Sequence, residues 1–184
     1  MLKAEVKAAF LAAAKFSPAP TPGPVTVIRV DRGSRLEVSE STIVVGDECE
    51  VLITRANAVA AILGTDAKEI ATGGSAFAVA IGRGASAMAD GGKAFAISFG
   101  PDSQAYAIGG GATAAAVSYS APALATARGG SARVFCVGAA SGNVDGGSAI
   151  STKHCEVPDE VWSAIANHIP TEVWDEAFLV ASLK

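Results

Sequence analysis

Residues 73–82 read GGSAFAVAIG, and glycine returns at positions 82, 91, 100 and 109. In a β-strand this stretch sends Phe77, Val79 and Ile81 to one face and Ala78 and Ala80 to the other. Burial of apolar area predicts that the large set forms the core, stacked as Phe77/Phe95, Val79/Ile97 and Ile81/Phe99, with the alanines turned outward. Glycine then marks a corner, where the chain turns sharply and often needs φ > 0.

Outward from this stretch the same texture fills most of the chain. Divided into nine-residue units from Val25, the sequence gives fourteen units ending at Ile150 with no insertion or deletion. In every second unit the third position is large and apolar: Val27, Val45, Leu63, Ile81, Phe99, Val117 and Phe135. The intervening units carry Leu36, Thr54, Thr72, Asp90, Ile108, Thr126 and Val144 there, so the period is eighteen residues made of two unequal nonapeptides. Alternation within each unit and a period of this size predict an all-β fold, a parallel β-solenoid with two strands per coil. About seven coils at an inter-strand spacing of roughly 4.8 Å make a rod on the order of 34 Å long.

A shift of eighteen places each residue above its equivalent in the next coil. On the outward reading one face carries Ala78, Ala80 and Ala96, and the other carries Ala87, Ala89, Ala105, Ala107, Ala123 and Ala125. Ala has poor strand propensity, and a solvated sheet face ordinarily carries Lys, Glu, Thr and Arg, so flat rows of methyl groups call for a covering surface. These nine alanines are the candidate binding residues. Their partner is a second copy of the chain, the chain's own terminal helices, or another protein.

The repeat is flanked by segments of different character. Residues 1–16 are expected to form an amphipathic helix with Leu2, Val6, Phe10 and Ala13 on one face, a cap for the first coil, and residues 17–24, SPAPTPGP, an extended or turn-rich linker. The solenoid occupies 25–150. Residues 151–184 form a helical cap of two short helices opened by VPDEVW (157–162) and IPTEVW (169–174), with Trp162, Ile165, Val173, Trp174 and Phe178 as packing residues. The seven-residue apolar run of the N-terminal segment is interrupted or flanked by Glu5, Lys7 and Lys15, which argues against a secretory leader, and no stretch is long enough to span a bilayer.

The net charge of −4 is divided unequally: +3 over residues 1–33, −3 over 34–152 and −4 over 153–184. No segment has the basic density that a nucleic-acid partner demands. Cys49, Cys136 and Cys155 are an odd number at unrelated spacings, so a reducing, cytoplasmic setting is expected rather than a disulfide framework.

The run AVAIGRGASAMADGGKAFAISFGPDSQAYAIGGGATA resembles the head repeats of trimeric autotransporter adhesins, with AIG at 80–82 and 107–109 and SFG at 98–100 over about forty residues. That resemblance implies a β-roll that trimerises. The nine-residue period is also similar to the RTX calcium repeat GGxGxDxUx, whose sixth-position Asp supplies ligand oxygens. Counted from Gly73-Gly74 and Gly91-Gly92, that position holds Ala78 and Ala96, so calcium binding is not expected.

Catalytic constellations are thin. His154-Cys155 and His168 are the histidine-bearing candidates, with no carboxylate or further ligand spacing to support a metal or nucleophile site. Asp47, Glu48 and Glu50 gather at a coil corner, where solvated charge is ordinary, and GRG (82–84) and GGG (109–111) belong to the repeat, since no Lys-Ser/Thr follows to make a phosphate loop. The sequence therefore predicts no enzyme, no metal and no cofactor. It predicts a structural or interaction module, homo-oligomeric through its alanine faces. The alternatives are a face that recognises ice, a polysaccharide or a protein target, or an inhibitor of a host protein carried by a phage or mobile element.

Overall fold

Short apolar runs broken by glycine corners make strands of four or five residues that cannot bury a face alone, so the chain winds and stacks them. The structure is a computed structural model that describes residues 26–55, 59–146 and 150–154, and within them it is a parallel β-solenoid with two walls. The first wall stacks β1 (Thr26–Arg29), β3 (Thr42–Val45), β5 (Val59–Leu63), β7 (Phe77–Ile81) and β9 (Phe95–Phe99). The second stacks β2 (Arg35–Val38), β4 (Glu50–Ile53), β6 (Lys68–Thr72), β8 (Ser86–Asp90) and β10 (Gln104–Ile108). Two longer strands, β11 (Thr113–Arg128) and β12 (Arg133–Asp145), run through a corner and join both stacks, and β13 (Ile150–His154) adds to the first. The helices expected at 2–16 and 158–183 lie outside the described residues, as does the linker 17–24.

From β3 to the start of β11 each residue pairs with the one eighteen positions on, as in Thr42↔Ala60, Phe77↔Phe95 and Phe95↔Thr113. The unbroken nonapeptide register expected over 25–150 does not extend beyond this stretch. Thr26 pairs with Thr42 and Arg35 with Glu50, so the first coil is sixteen residues around on one wall and fifteen on the other. Ala105 pairs with Ala125, twenty on, and Ala125 pairs with Gly142, seventeen on. The clearest of these changes falls at a corner: the register shifts between Ser118 and Ala123, where the Ser118 hydroxyl donates to the Ala121 carbonyl at 2.6 Å and closes the widened turn. A corner absorbs extra residues because only its ends must rejoin the ladder, whereas a one-residue slip inside a strand would turn every side chain to the wrong face.

The inward and outward sets are the reverse of the sequence expectation. Ala78, Ala80, Ala96, Ala87, Ala89, Ala105, Ala107, Ala123 and Ala125 all lie in one buried cluster that draws on both walls. Two contacts show that this cluster is the interior of the coil. A Cβ added to Gly142, next to Ala125 in the stack, would stand 2.2 Å from Val134 Cγ1 and 2.7 Å from Cys136 Sγ on the opposite wall. Glu69, in the Ala87 row of the second wall, accepts a hydrogen bond from the Val79 N–H of the first. Facing methyl groups fill the gap, which requires walls closer than the roughly 10 Å of ordinary face-to-face sheets. Phe77, Val79, Ile81, Met88 and Tyr106 consequently point outward.

Glycine at the corners has a steric cause that adds to any need for positive φ. A Cβ on Gly91 would stand 1.7 Å from the Gly73 carbonyl oxygen of the coil below, although Gly91 is not in the left-handed region. At Gly74, by contrast, nothing lies within 4 Å of such a Cβ. Gly91→Ala is therefore expected to lower stability by about 1–3 kcal/mol or more through overpacking, while Gly74→Ala stays within about 0.5 kcal/mol, read by thermal unfolding of the two variants. Ala107→Arg places a long cation between the walls. It is expected to abolish the β-type circular dichroism signal, and a folded, β-rich variant would contradict the inward placement of Ala107.

Candidate interaction surface

With the alanines inside, the outer surface is built from the other alternation, and its two walls differ. On the first wall the outer rows are Ile43, Ala61, Val79, Ile97 and Ala115 beside Leu63, Ile81 and Phe99, and none of these is more than 8% exposed. At the margin nearest the Gly-Gly corners Phe77 and Phe95 stack with ring centroids 5.2 Å apart and interplanar angle 6°, and both are only partly buried. On the second wall a ridge of Leu52, Ile70, Met88 and Tyr106 runs along the rod axis, each partly exposed. Mostly polar rows flank it, Lys68, Ser86 and Gln104 followed by Leu124 on one side, and Thr72, Asp90 and Arg128 interrupted by Ile108 on the other. The Arg128 guanidinium sits 5.7 Å from the Tyr106 ring centroid, a cation–π contact at the end of the ridge.

The acidic trio at the first corners is separately engaged. Asp47 Oδ1 accepts the Thr65 N–H at 2.7 Å, Glu48 pairs with Arg32, and Glu50 lies 3.8 Å from Arg35. The Arg32 hydrogen bond holds the exposed Glu48 carboxyl below its ordinary range. Among the described residues no three His, Cys, Asp or Glu side chains come together as a metal site. Cys155 and His168 lie outside the described residues, and Cys49 and Cys136 are buried.

Glu69 is the functional-looking group that the repeat pattern hides. It stands between Val51 and Ala87 in an interior row, fully buried, opposite the space that Ala78 and Ala80 leave in the first wall. Its Oε2 accepts the Val79 N–H at 3.0 Å, and Oε1 has no partner among the described residues. Burial pushes its carboxyl well above the ordinary value of 4.5, with the Val79 bond a weaker opposing effect. The column itself carried the signal, since residues 69, 87 and 105 repeat at eighteen and only the first is charged.

Comparison with known proteins finds no matching family model, no matching curated protein and no matching solved structure.

Because the folded-state value is raised, the stability that protonated Glu69 contributes is complete below about pH 4.5 and is lost as pH rises toward the folded-state value. Glu69→Gln keeps the acceptor for Val79 and removes the titration. The variant is expected to match the parent within about 0.5 kcal/mol near pH 4 and to exceed it by about 1 kcal/mol or more near pH 8, measured by denaturant unfolding at both pH values.

Proposed function

We propose that this chain is a non-enzymatic structural module that self-associates side by side through the outer face of its second wall. The observation that carries the reading is the ridge of Leu52, Ile70, Met88 and Tyr106, four apolar side chains left partly exposed in register and joined by Ile108 and Leu124 at its end, whereas Val79, Ile97 and their neighbours in the central outer row of the first wall are buried. Stacked at roughly 4.8 Å the four make a strip on the order of 14 Å long with mostly polar margins, the composition of a small contact patch with a rim. A second copy presents the same straight ridge, so two such surfaces match in length and chemistry. The resemblance to trimeric head repeats supports three copies as the assembled form. The odd number of cysteines at unrelated spacings fits a reducing compartment.

Met88 lies at the centre of the ridge with Ile70 and Tyr106 as its stack neighbours. The parent is expected to sediment as an oligomer whose mass falls on dilution. Met88→Lys is expected to sediment as a monomer with an unchanged β signal and a stability change within about 0.5 kcal/mol, since the side chain points out of the coil. A parent that stays monomeric at high concentration would refute self-association.

A further inference from the structure

Val79 and Ile97 point away from the interior, yet both are completely buried, as are Ile43, Ile81 and Phe99 beside them to within 8%. The second wall provides an internal control, because Ile70 and Met88 occupy the equivalent outward positions there and remain partly exposed. Stacking alone therefore does not bury an outward row. No described strand lies over the first wall, whose strands partner only their stack neighbours and the wall across the coil. No described element accounts for the burial of this face.

The burial is not centred. Phe77 and Phe95, toward the Gly-Gly corners, are partly exposed, whereas Ile81 and Phe99, toward the other edge, are buried. That other edge runs into the corners that hold Asp47, Glu48, Asp66 and Asp102 against two cations, Arg83 and the Arg32 that pairs with Glu48, so it stays net acidic, with Glu48, Asp66 and Asp102 in equivalent left-handed positions. A cation-bearing segment suits a site beside these carboxylates. Of the two terminal segments, residues 1–16 carry Lys3, Lys7 and Lys15 against a single Glu5, while 155–184 carry six acidic residues and only Lys184.

We propose that residues 2–16 dock as an amphipathic helix along the outer face of the first wall, over Val79, Ile81, Ile97 and Phe99, with their lysines toward the acidic corners. The dimensions agree. A fifteen-residue helix is roughly 22 Å long, and the buried strip from β3 to β11 spans four steps of roughly 4.8 Å, about 19 Å. The eight-residue linker reaches up to roughly 25 Å if extended, and it leads into β1, the first strand of this same wall. Leu2, Val6 and Phe10 supply the large side chains of the docked face and Ala13 allows close approach at its end. The helix is thus a lateral strap and not a cap on the first coil, and the inference stands whether or not the second wall self-associates.

The test is a double-substitution series in the full chain, read by melting temperature. Ile97→Ala is expected to lower Tm by about 5 °C or more in the parent and by less than half as much in a Phe10→Asp background, because the contact it weakens is already lost there. It is expected to lower Tm equally in the parent and in a Trp174→Ala background. The same loss in the parent and in Phe10→Asp would overturn the proposal. A reduced loss confined to Trp174→Ala would assign the face to the C-terminal segment, and a loss that vanishes on dilution would assign it to a second copy; either outcome overturns it. Should Phe10→Asp fail to fold, amide exchange in the unsubstituted chain decides: protection of residues 4–16 beyond an unstructured peptide is required, and exchange at the unstructured rate refutes docking.

Discussion

The carbonyl of Gly73 lies where a side chain on Gly91 would begin, and the two walls meet through methyl groups, so close approach of backbone to backbone governs the molecule in both directions. Along the rod, strand spacing fixes the corner glycines. Across it, wall separation fixes the alanines. A core of methyl groups has a consequence for stability. Each buried carbon contributes roughly 0.8 kcal/mol, so an alanine interior supplies far less than a core of Leu, Ile and Phe would. The large side chains lie outside the coil instead, and on the first wall they are buried there.

Glu69 follows from the same geometry. The first coils hold Val44, Val51, Ile53 and Ile62 inside, the later ones mostly alanine, and Glu69 sits at the change. Small partners opposite leave room for a long side chain, and the first-wall backbone offers one donor to it. The remaining carboxylate oxygen lacks a partner among the described residues, and the cost is limited because the group stays protonated to a higher pH than usual.

The period, the solenoid and its corners were legible in GGSAFAVAIG and its repeats, because glycine spacing and strand alternation are local properties. The direction of the alternation was not legible in β5, β7 and β9, where both sets are apolar apart from the inward Ser98 and no polar residue marks the outside. The second-wall units did hold the answer. In SAMAD (86–90), Ser86 and Asp90 share parity with Met88, so the alanines between them must face inward, and QAYAI repeats that rule through Gln104, while KEIAT carries charge on both parities, Lys68 outside and Glu69 inside. Apolar area is buried on both faces of the first wall, so area alone does not decide direction, and the nine alanines expected on the outside face inward.

Changes in coil length are passed over by a strict nine-residue division, although the glycines record them: Gly109 to Gly129 is twenty residues and Gly129 to Gly146 seventeen, as in the pairings. They bear on how copies of the chain can associate. A rod of identical eighteen-residue coils would present the same template at both ends and invite end-to-end stacking. Here the first coil measures fifteen to sixteen residues and the last pairings are seventeen apart, so the two ends have different outlines and different corner positions. A head-to-tail contact would have to join ladders whose corners do not coincide, leaving backbone groups unpaired at the mismatch. The lateral ridge of the second wall carries no such mismatch between β4 and β10, where the eighteen-residue register is unbroken, and this is where association meets the fewest geometric obstacles.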